Sequence, residues 1–218
     1  MTEPAPQRPL VQQPRPLPVF ILADVSGSMD GEKIKVLNES IATMLRTFAA
    51  EDSIRGEIWA SVITFGLGGA TLHRPLSPMT DTGWQDMVAA GRTPLGAALE
   101  LVTSLVEDES VVPRRAFRPT IVLVSDGKPT DGWREQLMRL LNSGRGSRSL
   151  RLAVSVGRDM DQDDFAILEA FIGDPRIPVA RADQVHELPR FFDWVTATVT
   201  TQVRSGRVNN DDLLDFMN

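Results

Sequence analysis

The segment Leu17 to Asp24 (LPVFILAD) constrains the fold of this chain more than any other. Its side chains are apolar almost without a break up to the terminal aspartate. A strand with one wet face alternates apolar and polar residues, whereas a strand covered on both faces does not. The run is also far too short to span a bilayer. It reads as a central strand, buried above and below, that delivers a carboxylate at its end.

A regular alternation follows. Glu32 to Ala50 places Ile34, Leu37, Ile41, Leu45 and Phe48 at helical spacing. Glu57 to Phe65 (EIWASVITF) reads as a second strand, and Ala70 to Arg74 as a short third one beyond the Gly66–Gly69 turn region. Pro94 to Val106 reads as a helix opened by proline, whose missing N–H is tolerated in a first turn. Thr120 to Ser125 is again continuous and strand-like. Gly132 to Asn142 reads as a helix with Asp131 as its expected cap. Leu150 to Val156 is a strand, Asp163 to Phe171 a helix, Ile177 to Ala180 a short strand, and Asp183 to Val203 a closing helix. Strands alternating with helices predict an α/β fold: a doubly wound, mostly parallel six-stranded sheet of order 3-2-1-4-5-6 with helices on both faces.

The domain is expected over residues 17–203. Residues 1–16, with Pro4, Pro6, Pro9, Pro14 and Pro16 among glutamines and arginines, read as an extended, disordered arm. Residues 204–218 read as a linker and a short acidic, apolar tail. There Leu213, Leu214, Phe216 and Met217 among three aspartates predict a docking motif rather than an inert end. A net charge of −6 argues against a nucleic-acid partner, which needs a basic face. The absence of cysteine removes disulfides, thiolate metal sites and cysteine nucleophiles, and suits a reducing cytosol. No secretory signal or spanning segment is visible, so the expectation is a cytoplasmic protein with no membrane partner.

The chemistry gathers at strand ends. The first strand leads into Asp24-Val25-Ser26-Gly27-Ser28, which places a carboxylate and two hydroxyls on one tight loop. The fourth ends in Ser125-Asp126-Gly127, and between the two lies Gly91-Arg92-Thr93-Pro94, a hydroxyl ahead of a helix. In the predicted order, strands 1 and 4 are neighbours at the switch point, where ligands bind at the carboxyl ends of strands. Three loops then deliver oxygen groups to one cleft, and a hard cation such as Mg²⁺ wants oxygen ligands.

D-x-S-x-S at 24–28, Thr93 ahead of a helix and Asp126 after an apolar strand resemble the metal-ion-dependent adhesion site of von Willebrand A domains. The resemblance covers roughly residues 17–203. It implies that Ser26, Ser28 and Thr93 contact a Mg²⁺ ion (or Mn²⁺ or Ca²⁺) directly, while Asp24 and Asp126 act at least partly through water. The neutral hydroxyls leave the ion under-compensated, so it favours a carboxylate from a partner protein. The words LPVFILADVSGSM and VLVSDGKPTDGW are similar to the bacterial tellurium-resistance TerY-like group. That resemblance implies serine/threonine kinase or phosphatase partners in a stress-response or phage-defence system.

Other groups carry weaker signals. Asp30 and Glu32 read as a turn and a helix-opening carboxylate. Trp133 and Lys128 lie on the metal-bearing rim, with packing favoured for the tryptophan, and Trp84 is open between packing and contact. His73 and His186 stand on unrelated elements, which argues against catalysis. Arg114, Arg115 and Arg118 are expected as solvated surface at the end opposite the metal. Gly91 and Pro94 suggest a hinge around Thr93. The leading reading is a binding module and not an enzyme. A self-assembling structural subunit is one alternative. A metal-dependent phosphatase is another, although Ser26 stands where a D-x-D enzyme would carry its second aspartate.

Overall fold

The computed structural model describes residues 14–51, 53–80, 83–157 and 161–205. The expected central strand, β1 (Arg15–Asp24), is buried from Pro16 to Asp24. It pairs in parallel with β2 (Gly56–Gly66) on one side and β4 (Thr120–Ser125) on the other. The sheet continues through β3 (Gly69–Pro78), β5 (Leu150–Val156) and β6 (Ala180–Ala182), giving the order β3-β2-β1-β4-β5-β6. Among the described residues only β2 and β3 run antiparallel, across a tight connection in which Gly68 and Gly69 take positive φ. Every residue of β4 and β5 is buried, which accounts for the unbroken apolar run of β4 from Ile121 to Val124.

Among the described residues, five α-helices cover this sheet: α1 (Glu32–Ala49), α2 (Leu95–Glu107), α3 (Trp133–Asn142), α4 (Gln162–Ile172) and α5 (Leu188–Ser205). The chain moves from β1 towards one edge and then back across to the other. Right-handed crossovers therefore put α1 and α5 on one face, where they pack together, and α2 and α3 on the opposite face. No helix among the described residues is long and apolar enough to cross a membrane.

Four elements differ from expectation. β1 starts at Arg15, inside the stretch read as an arm, because Arg15 already pairs with Gly56. β3 runs on to Pro78, pairing with β2 from Trp59 to Gly66, with a bulge near Val62. β6 lies at 180–182 instead of 177–180, beyond Pro178, which has no N–H to give a ladder. The closing helix begins at Leu188 after a 3-10 turn at Val185–Glu187.

The connection from β3 to α2 has no regular structure between residues 83 and 90, and a buried side chain of α1 holds it. Asn38 Nδ2 donates to the Met87 carbonyl at 3.0 Å, and its Oδ1 accepts from the Met87 N–H at 2.8 Å. Asn38→Ala leaves both Met87 backbone groups without that partner. It should lower stability by about 2–3 kcal/mol in urea denaturation, and a loss below about 0.5 kcal/mol would show that the link carries little weight.

Candidate metal centre

Ala23 stands opposite Val124 in the parallel ladder, so Asp24 and Asp126 leave the sheet from neighbouring strands. Beyond Asp24 the chain turns at once. The Ser26 N–H donates to Asp24 Oδ1 at 2.8 Å, and Gly27–Met29 form a single 3-10 turn. This turn brings the Ser26 and Ser28 hydroxyl oxygens within 3.0 Å of each other. Ser28 Oγ also donates to Asp126 Oδ1 at 2.7 Å. Thr93 enters from the third loop. From the point where a Cβ on Gly127 would sit, Ser28 Oγ is 3.9 Å away and Thr93 Oγ1 4.0 Å, so both hydroxyls border one small space. The five residues expected at a metal site are thus held at one end of the sheet by three loops. Ser28 is exposed, and the other four are buried.

The two carboxylates differ in surroundings. Asp24 has no exposed surface and, among the described residues, no cationic partner. Its hydrogen bonds come from Ser125 Oγ at 2.6 Å and from the Ser26 N–H. Burial pushes its pKa up to about 6; these hydrogen bonds, together with one from the Ser26 side chain, pull the other way, and the Asp126 charge adds slightly to the rise. Asp126 is equally buried at its side chain, but Lys33 Nζ lies 2.6 Å from its Oδ2. The donor set of two carboxylates and three hydroxyls suits a hard divalent ion such as Mg²⁺. A buried carboxylate with no counter-charge is the group such an ion would compensate. Among the described residues no three His, Cys, Asp or Glu side chains gather as a metal cluster, so hydroxyls would be the majority of the donors here.

Two findings alter the reading of the Thr93 loop. Asp131, expected to cap its own helix, caps α2 instead: its carboxylate accepts from the Gly96 N–H at 2.8 Å and the Ala97 N–H at 3.0 Å. The position before α3 is Gly132, without a side-chain cap. Thr93 itself is fastened at both backbone groups, its N–H donating to Thr130 Oγ1 and its carbonyl accepting from the Thr130 N–H. On the other flank Gly27 N–H donates to the Gly91 carbonyl and Ala90 N–H to the Val25 carbonyl. Gly91, with φ +85°, lies against the Leu67 backbone, where a Cβ would come within 2.6 Å of Leu67 Cα. The glycine thus permits close packing, and Thr93 is joined to the Thr130–Asp131 segment.

The remaining candidates lie outside this cluster. Asp30 closes the 3-10 turn and Glu32 opens α1. Trp133 and Trp84 are half-buried against the core, Trp84 also meeting the His73 ring at 5.2 Å. His73 Nε2 is bonded to the Gln85 carbonyl, and His186 sits in the 3-10 turn before α5. Lys128 ties its loop to the start of α4 through Asp161 at 3.0 Å. Arg114 pairs with Glu109, Arg115 donates to the Pro14 carbonyl and Arg118 to the Ser149 carbonyl, all ahead of β4 and far from the crevice. The tail from Asp211 to Asn218 and most of the N-terminal arm lie outside the described residues. Lys33 was not expected. Its signal was its place, since a cation in the first turn of a helix opposes the dipole and implies a compensating anion.

A doubly wound α/β domain with an oxygen-lined crevice at its switch point is the class these features define. The von Willebrand factor type A domain family matches residues 19–128, and the chain belongs to that family. Among solved structures it is similar to proximal thread matrix protein 1 from the mussel byssus, at 17% identity and a TM-score of 0.66 over 85% of this chain and 48% of that one. The pilus adhesin SpaC from Lactobacillus rhamnosus GG aligns at 12% identity and a TM-score of 0.72, over 88% and 31%. A von Willebrand factor type A protein from Catenulispora acidiphila aligns at 16% identity and 0.65, over 86% and 43%. At these identities the likeness is one of fold, and the chain spans less than half the length of each of the three.

The raised pKa of Asp24 gives a signed expectation for the metal-free protein. Its folded value, about 6, exceeds the ordinary 3.8, so the neutral form favours folding. That contribution is full below about 3.8 and is lost as pH rises through about 6. In EDTA, Asp24→Asn should overtake the wild type in stability as pH goes from 4 to 7.5, by up to roughly 3 kcal/mol. A stability difference that stays constant across that range in urea titrations would remove Asp24 as the titrating group.

Proposed function

We propose that this chain is a metal-dependent protein-interaction module that takes an acidic group of a partner protein. The observation that carries the reading is the meeting of Asp24, Ser26, Ser28, Thr93 and Asp126, from three loops, around one space beside an exposed hydroxyl. Ser26, Ser28 and Thr93 would hold a Mg²⁺ ion (Mn²⁺ or Ca²⁺ sharing the same donor preference), with Asp24 and Asp126 contributing charge directly or through water. The ion supplies an electrophilic centre for one carboxylate oxygen from outside. The protein's part is positioning. The 3-10 turn aims two hydroxyls at one point, Ser125 orients Asp24, and Thr130 with Asp131 fixes the loop that carries Thr93.

The reading includes no catalysis. The serine hydroxyls of the crevice are bonded to each other and to a carboxylate, while His73 is engaged with Gln85 and Trp84. Similarity of LPVFILADVSGSM and VLVSDGKPTDGW to the TerY-like group supports placing the module in a bacterial stress-response or phage-defence system. There the acidic group would come from a serine/threonine kinase or phosphatase partner in the cytoplasm.

Calorimetric titration with Mg²⁺ and Mn²⁺ tests the metal. Ser26→Ala with Ser28→Ala, which keeps the Asp24 carboxylate itself, should reduce affinity at least tenfold, and Asp24→Ala should abolish binding. Affinity unchanged in both variants would overturn the assignment. Capture of partners from a native lysate should require Mg²⁺ and fail in EDTA.

A further inference from the structure

Lys33 lies in the first turn of α1, and its ammonium meets Asp126 Oδ2 at 2.6 Å while Asp126 Oδ1 accepts from Ser28. One carboxylate of the crevice is therefore shared between a hydroxyl expected to ligate the ion and a cation belonging to the chain. The lysine is not a loose surface group: only 21% of its side chain is exposed. On its other side is Gly157, at the end of β5, with φ +90°; a Cβ there would stand 3.4 Å from Lys33 Nζ and 3.5 Å from its Cε. The glycine leaves the lysine its berth between the ends of β4 and β5.

The charges decide what this arrangement does. Asp24 and Asp126 ionised, with the Lys33 ammonium beside them, leave the crevice one net negative charge. A divalent ion turns this into one net positive charge, and one carboxylate from outside then restores neutrality. Without the ammonium, the ion alone balances the two aspartates, and an incoming carboxylate leaves an uncompensated negative charge in a partly buried place, which is unfavourable. We propose that Lys33 is a tethered cation that competes with the divalent ion for Asp126 and, once the ion is bound, makes the crevice demand an anion. It lowers metal affinity and raises anion affinity. The inference rests on the metal-site reading above and assigns a role to a residue outside the five ligating positions.

The test uses the whole chain as wild type, Lys33→Met and Lys33→Arg, with Lys33→Gln in reserve should the methionine variant not fold. Binding of Mn²⁺ is followed by the electron paramagnetic resonance signal of the free ion. Acetate is the anion probe, read by the relaxation of its methyl protons in the Mn²⁺-loaded protein. Removing the charge should tighten Mn²⁺ binding on the order of tenfold and weaken acetate binding severalfold, while Lys33→Arg stays near the wild type. Thermal denaturation supplies a readout independent of binding: in EDTA, Lys33→Met should melt below the wild type because Asp126 loses its counter-ion, and excess Mn²⁺ should close the gap. Mn²⁺ and acetate binding unchanged in Lys33→Met, or Mn²⁺ binding weakened, overturns the role of Lys33 and leaves the metal site standing. No Mn²⁺ binding by the wild type overturns both.

Discussion

Asp24 carries its carboxylate to the end of a strand that water does not reach, and much of the crevice is arranged around that placement. An ionised group in such a position is unfavourable unless it is neutralised, hydrogen-bonded or paired. Ser125 and the Ser26 N–H each donate to it, yet no cation stands beside it among the described residues, and its pKa still lies near 6. The hydrogen bonds orient the carboxylate without compensating its charge. A bound divalent ion would supply what is missing, which links the burial of β1 on both faces directly to the chemistry at its end.

The second carboxylate shows the opposite solution. Asp126 is just as buried but already has its cation in Lys33. One aspartate of the pair thus waits for a charge while the other is provided with one. The sheet makes the pairing possible. Two parallel neighbours end at the same level, and α1, which starts just beyond the Asp24 loop, brings the lysine back over the end of β4.

The loops around this pair form a connected body. The Val25–Gly27 backbone is bonded to residues 90 and 91, residue 90 to Leu67, and Thr93 to Thr130, while Asp131 holds the N-terminus of α2. Displacing Thr93 would therefore act on α2 and on the segment that follows Asp126 together. Packed helices respond to such a displacement by moving as bodies.

The chain by itself declared most of this domain. The unbroken apolar stretches at 17–23 and 120–124 mark strands with two dry faces, and residues that leave such strands can only appear at their ends. Asp24 and Asp126 were therefore placed at strand ends, the family resemblance joined Ser26, Ser28 and Thr93 to them, and the sheet order followed from the alternation of elements. The shorter pieces were not. β6 lies beyond Pro178, β1 extends back to Arg15, and β3 takes its length from β2, because pairing with a neighbour and not local pattern sets where a strand starts and stops. What only the tertiary structure decided is who meets whom. Asp131 caps α2 and not the helix it precedes, Gly91 lies packed against the Leu67 backbone, and Lys33 holds Asp126 across 93 residues of chain. Local pattern reports which groups a segment must hide and which it must expose. The partner of a buried charge depends on where separate loops come to rest, and that is settled only when the whole sheet closes.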